Sequence, residues 1–221
     1  MKDGWQAPLA ALIVVILFAA FQAKPMQSAA DIAAWVQGVG SLAAIIAAIW
    51  IYAKQYSDKK ADDENETRAF VQAIRDEVET VWNDYSEQTG ALLLTTQAGQ
   101  PYNSFVPDLT KGLIIYQVSP ARVGRIDDVE LRKLIVTAYV GLIGHFNSLV
   151  VNNQMLVELE QWHSSSDFPM RAQRIANREK ALAAYADALK KGLIDLQGTV
   201  KALLAGSDAW LARHQTLPAT P

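Results

Sequence analysis

The sequence predicts an all-α chain in which a two-helix transmembrane hairpin precedes a cytosolic helical bundle. Three observations lead there. Residues 1–53 carry only Lys2, Asp3, Lys24 and Asp31 as charges, while every other charged group lies beyond. Two uncharged runs occupy that first quarter. After it, apolar residues recur at helical spacing over three long segments. The mean hydropathy of +0.06 averages over these contrasting parts. The expected organisation is a hairpin over 1–53, a helical domain over 54–217 and a loose tail over 218–221.

The first run, Trp5 to Ala23, has no charge over 19 residues. At ~1.5 Å per helical residue it spans roughly 28 Å, the thickness of a bilayer core. A cleaved signal peptide has a similar apolar stretch. Asp3 beside Lys2, and Lys24-Pro25 directly after Ala23, fit that alternative poorly. The second run, Ile32 to Tyr52, is uncharged over 21 residues and is again long enough to cross. Trp5, Trp35, Trp50 and Tyr52 stand near the ends, where aromatic rings anchor at the interface. Lys54, Lys59 and Lys60 follow the second run, against Lys24 and Asp31 in the link, so the positive-inside rule places the later domain in the cytosol.

The second run is rich in small residues. Gly38 and Gly40 permit close helix packing, and Gly40, Ala44 and Ala48 recur every four residues in that manner. Ala34, Gln37, Ser41, Ala44 and Ala48 follow at spacings of 3, 4, 3 and 4, a heptad seam holding the run's only amide and only aliphatic hydroxyl. Polar groups at membrane depth turn toward protein or water. The seam therefore either lines a narrow passage in an oligomer or supplies interhelical hydrogen bonds.

From Tyr52 to Gln88 there is no Gly or Pro, so the second helix is expected to run on into the soluble part, burying Phe70, Ile74, Val78, Val81, Trp82 and Tyr85. Its outer face is acidic: nine acids stand against Arg68 and Arg75 between Ala61 and Gly99. Residues 95–126 are punctuated by Gly and Pro and read as a connection with one short helix or strand. Asp127, with Glu130 three residues on, marks the start of a long helix reaching toward Trp162. A break at Ser164–Pro169 precedes another long helix, Met170 to Leu204, and a brief helix from Asp208 to His214 is expected after Gly206.

Catalytic signatures are missing from the residues. There is no cysteine, which excludes disulfides, thiolate metal sites and cysteine nucleophiles. His145, His163 and His214 lack zinc spacing, and a lone His163 near Glu160 and Asp167 is weak as a ligand set. Asp127-Asp128 is more simply a helix cap than a catalytic pair. Gly38, Gly40 and Ala43 match the loosest dinucleotide fingerprint, but inside an apolar helix with no preceding strand they read as packing. No metal or cofactor is expected.

One polar constellation suggests a ligand. Arg171, Arg174 and Arg178 fall on one helix face at spacings of 3 and 4, with Lys180 nearby, and stacked guanidinium groups can grip successive phosphates. Arg122, Arg125, Arg132 and Lys133 form a second basic group. The competing reading for both is a solvated face, or one paired with the acidic helix 62–87. The net charge of −3 attracts no polyanion in bulk, so such a ligand needs a local basic surface.

Trp35 to Ile51, the sequence WVQGVGSLAAIIAAIWI, followed by a Lys-flanked acidic helix and by IIYQVSPARVGRIDDVELRKLIV (Ile114 to Val136), resembles the small membrane effectors of bacterial anti-phage operons. Those of CBASS, retron and Hailong type are the examples, and the Hailong effector is the nearest in kind. The resemblance spans the architecture of the whole chain through loose motifs. It implies a homo-oligomeric pore in the inner, cytoplasmic membrane, with a tetramer as the working expectation, that depolarises the cell. It further implies control by a nucleotide or short DNA oligomer made by an operon partner such as a nucleotidyltransferase. The residues leave open a non-conducting membrane-anchored scaffold or sensor.

Overall fold

The computed structural model describes Val15, Gln22, residues 28–164 and residues 170–214. Apart from Val15 and Gln22, the first expected crossing lies outside the described residues, as do Ser165 to Pro169 and the tail. Among the described residues the elements are helices and no strand occurs.

Helix α1 (Ala29–Tyr85) is 57 residues long. It starts where Ser28 and Asp31 cap one another. The Asp31 carboxylate accepts from the Ser28 amide at 3.1 Å and from its hydroxyl at 2.7 Å, and the Ser28 hydroxyl accepts from the Asp31 amide at 3.2 Å. The second apolar run and the acidic segment thus belong to one helix. A π-helical turn (Ser86–Gly90) and a short helix α2 (Ala91–Thr95) follow directly.

The chain divides into two compact units, Met1–Asp62 and Asp63–Pro221. In the first, every described residue from Ala33 to Asp62 is exposed except Trp35 and Leu42, which are half-buried. Large apolar side chains are among the exposed ones, Val36, Ile49 and Trp50 included.

The second unit builds its core from three long helices: the latter part of α1, α5 (Val129–Ser164) and α6 (Arg171–Arg213). Phe70, Val71, Ile74, Val78, Trp82 and Tyr85 form the buried stripe of α1, close to the spacing expected. They meet Leu131, Ile135, Leu142, Phe146 and Leu149 of α5 and Leu189, Leu193, Leu196, Val200 and Leu203 of α6. The connection between α2 and α5 holds a 3-10 turn (Leu109–Gly112) and two four-residue helices, α3 (Ile115–Val118) and α4 (Pro120–Val123), and contains no strand. It is tied down by polar side chains. Glu77 accepts from the amides of Ile114 and Ile115 at 2.7 and 2.8 Å and from the Tyr139 hydroxyl. Asn152 and Asn153 of α5 bond the backbone at Tyr102 and Val106.

Two boundaries differ from the expectation. The cap of α5 is Asp128, whose carboxylate accepts from the amides of Glu130 and Leu131 at 3.0 Å each. Asp127 instead accepts from the Trp210 indole at 2.8 Å. At Gly206 the last helix does not break, and α6 runs unbroken to Arg213. A Cβ at Gly206 would stand 3.2 Å from the Leu134 side chain, so this glycine serves close packing against α5 rather than termination.

Two helical segments are long and apolar enough to cross a membrane: Ala29–Thr95, none of whose most apolar stretch is buried, and α5, 39% of whose corresponding stretch is buried. In α5 that apolarity supplies the core of the second unit.

Candidate functional site

Four places bring polar groups together. The first is the seam on α1, where Ala34, Gln37, Ser41, Ala44 and Ala48 are all exposed. Helical periodicity sets them on one side, since residues three and four apart are neighbours. The Ser41 hydroxyl donates to the Gln37 carbonyl at 2.7 Å, so its proton is satisfied inside the helix while its lone pairs stay free to accept. A Cβ built at Gly38 or Gly40 meets nothing within 4 Å, so no described part of the chain packs on either glycine. Lys54 lies 5.8 Å from the centre of the Trp50 ring, placing a cation and an aromatic ring together at the end of the apolar run.

The cations fall in two separate places. Arg122 and Arg125, on and just after α4, converge on one carboxylate: each donates to a different oxygen of Glu66 at 2.9 Å. All three side chains are about half exposed, so the cluster faces water with two positive charges against one negative. Glu66 belongs to the acidic segment of α1, the partner one reading anticipates for such a basic group.

Arg171, Arg174 and Arg178 lie on the first two turns of α6. Arg171 donates to the carbonyls of Trp162 and His163, closing the last turn of α5. Arg178 pairs with Glu158 and sits 5.0 Å from the centre of the Trp162 ring. Arg174 is also engaged within the chain. Arg171 and Arg178 therefore grip α5 rather than helix 62–87. Lys180 lines a groove of about 760 Å³ between Gly99–Asn103 and α6, together with Glu179 and Asp187. The Arg122 pair precedes the start of α5 and Glu158 lies near its end, so at ~1.5 Å per residue the two groups are roughly 40 Å apart.

The fourth place is a groove of about 400 Å³ between α5 and α6, lined by Thr137, Gly141, Gly144, Ser148, Gly192 and Asp195 among others. His145 reaches its floor. The ring is buried, with 8% exposure, and Nε2 shares a 2.5 Å hydrogen bond with the Tyr85 hydroxyl. Burial pushes the imidazole down to about 4, so it is neutral at physiological pH. Gly192 makes room for it, since a Cβ there would come within 3.3 Å of Nδ1. This polar centre was not legible as a pair, because Tyr85 and His145 are 60 residues apart and each alone reads as a core aromatic.

The other histidines make surface contacts. His163 lies 3.9 Å from Glu179, and His214 stacks on Trp210 with ring centres 3.9 Å apart, its Nε2 being 3.4 Å from Asp127. Among the described residues no three His, Cys, Asp or Glu side chains gather as a metal site. Comparison with protein-family models, with curated proteins and with solved structures finds no match.

Proposed function

We propose that this chain is a homo-oligomeric, membrane-embedded pore-forming effector, of the kind used in anti-phage defence, gated through its helical cytosolic domain by a nucleotide or short oligonucleotide. The observation that carries the reading is the exposed α1 segment. Val36, Ile45, Ile46, Ile49, Trp50 and Ile51 are exposed along it, and its one polar seam holds Gln37 and Ser41 at heptad spacing. Apolar surface on that scale is unfavourable in water, by about 25 cal/mol per Å². A bilayer covers the apolar sides, and other copies of the chain cover the seam. In this reading the first apolar run completes a hairpin, and Lys54, Lys59 and Lys60 hold the second unit on the cytosolic side of the inner membrane.

The Arg122–Glu66–Arg125 cluster supports control by an anion. It has an excess positive charge, lies in water, and closes onto the helix that continues from the membrane segment. A phosphate competing for these guanidinium groups would release Glu66, and α1 would respond. Arg171, Arg174, Arg178 and Lys180 are the second candidate for phosphate contact. Expression of the full chain without its neighbouring genes, with membrane potential as the readout, tests the reading. Depolarisation is expected, and Gln37→Leu with Ser41→Ala should change it.

The non-conducting anchor or sensor remains the second reading, favoured by one observation: Arg171 and Arg178 are already occupied by carbonyls, a carboxylate and an indole of the same chain. It predicts unchanged membrane potential and indifference to the α1 seam.

A further inference from the structure

The His145 ring has one nitrogen engaged and one to spare, and the bond to Tyr85 decides which of them carries the proton. Burial pushes the Tyr85 phenol up and the His145 imidazole down, so at physiological pH the one is protonated and the other neutral. A neutral imidazole has one N–H and one acceptor nitrogen. The Tyr85 hydroxyl is buried and has no second acceptor among the described residues, so its proton is satisfied only by donation to Nε2. The imidazole proton therefore stands on Nδ1. That N–H has no acceptor of its own among the described residues, since the ring makes no hydrogen bond beyond the one to Tyr85. It is not sealed in the core either: the enclosed side-chain atoms without a partner among the described residues are Asn152 Oδ1 and Ser207 Oγ. Nδ1 opens onto the α5–α6 groove beside Gly192, whose lack of a side chain leaves the approach clear.

We propose that this groove binds a small organic cation whose apolar body carries a hydrogen-bond acceptor, the acceptor taking the Nδ1 proton and the cation facing Asp195. The volume of about 400 Å³ falls within the range of small-molecule sites. Val140, Leu189 and Leu196 supply apolar wall. Two hydroxyls on the groove present their oxygens as acceptors, because Ser148 donates to the Gly144 carbonyl at 2.9 Å and Thr199 to the Asp195 carbonyl at 3.3 Å. Asp195 is the one charged side chain lining the groove, and its carboxylate forms no ion pair among the described residues. It lies three residues beyond Gly192, ~4.5 Å along α6. Water can accept from Nδ1, but only a ligand with an apolar body also covers the wall. A phosphate would meet a carboxylate and a neutral imidazole here, so the site is distinct from the arginine groups and does not rest on the preceding reading.

The chain has three histidines, so nitrogen NMR of the full chain with isotopically labelled histidine gives a simple spectrum, in which the signals lost from His145→Leu belong to His145. They should show the Nδ1–H tautomer; the Nε2–H tautomer overturns the donor. The probe is monoacetylated putrescine, an amide acceptor joined through an apolar chain to an ammonium group. It should shift the His145 Nδ1 signal saturably. Butylacetamide, which lacks the charge, should bind about two- to five-fold more weakly, the range of an exposed ion pair, and acetamidobutyrate, of opposite charge, more weakly still. Asp195→Asn should bring the first two probes to the same affinity. Gly144→Leu, which enters open space in the groove, should abolish the shift for every probe while leaving the tautomer and the helicity unchanged. Equal affinities for all three probes overturn the cation, and a His145 signal that no probe moves overturns the site. A shift that survives Gly144→Leu places the ligand elsewhere and overturns the groove.

Discussion

The Tyr85 hydroxyl and Nε2 of His145 share a 2.5 Å hydrogen bond where α1, α5 and α6 meet. The Tyr85 ring also stands edge-on to Phe146, with centres 5.2 Å apart. Removing the hydroxyl strands a buried nitrogen, whereas removing both partners strands nothing. Tyr85→Phe should therefore destabilise the chain by about 1–3 kcal/mol, and Tyr85→Phe with His145→Leu should recover most of that loss. Urea melts of detergent-solubilised protein followed by circular dichroism measure both. An unchanged midpoint for Tyr85→Phe would remove the bond from the account.

The same histidine sets a pH dependence. Its folded pKa is depressed to about 4 by burial, below the ordinary value of 6.5, so the unfolded chain binds more protons between those values. Its contribution is intact above pH 6.5 and is lost as pH falls toward 4. The loss is on the order of 3 kcal/mol. Asp76, Asp127 and Asp128, held low by hydrogen bonds first from Gln72, Trp210 and the Leu131 amide respectively, act in a lower window, below about pH 4. His145→Leu should flatten the stability profile between pH 4 and 6.5 and leave the steeper fall below it. A profile unchanged in the upper window would contradict the assignment.

Two glycines six residues apart on α6 should respond oppositely to alanine. A Cβ at Gly198 meets nothing within 4 Å, so Gly198→Ala should stabilise the helix by about 0.5–1 kcal/mol. At Gly192 the new methyl meets an imidazole held by Tyr85, and overpacking of this kind costs about 1–3 kcal/mol. Equal shifts in the two melts would show that the floor of the groove yields freely.

Glu77 accepts three hydrogen bonds, two from the 114–115 backbone and one from Tyr139. A glutamine has one oxygen where the carboxylate has two, and its amide nitrogen cannot accept. Glu77→Gln should loosen residues 96–119 and destabilise by roughly 1.5–3 kcal/mol. Limited proteolysis should then cut this connection several-fold faster, and wild-type cleavage rates would contradict the latch.

If guanidinium groups bind phosphates, Arg122→Gln with Arg125→Gln, or Arg171, Arg174 and Arg178 changed together to Gln, should weaken oligonucleotide binding and flatten its salt dependence. Unchanged affinity in the first set and loss in the second would move the ligand to the α6 stripe. Unchanged affinity in both would assign all these cations to contacts within the chain.

The long helices were legible because their apolar residues recur at 3 and 4, a pattern that survives any tertiary arrangement. Asp127 was misplaced as the cap by one residue because two adjacent aspartates offer the same chemistry, and only the Trp210 indole, 83 residues away, separates them. Gly206 suggested a stop because glycine ends helices, yet the helix continues through it, and a Cβ there would make a tight 3.2 Å contact with the Leu134 side chain. For the arginine groups one sequence reading offered the acidic helix 62–87 as partner, and Glu66 on it does hold Arg122 and Arg125, whereas Glu158 reaches Arg178 from α5, which no sequence pattern announces.

Release of dye from liposomes containing the purified full chain tests the central claim most directly. The account predicts leakage in at least one state, with or without a short DNA oligomer or cyclic nucleotide, and a changed rate when Gln37→Leu and Ser41→Ala are combined. Liposomes that stay sealed in every ligand state would contradict it.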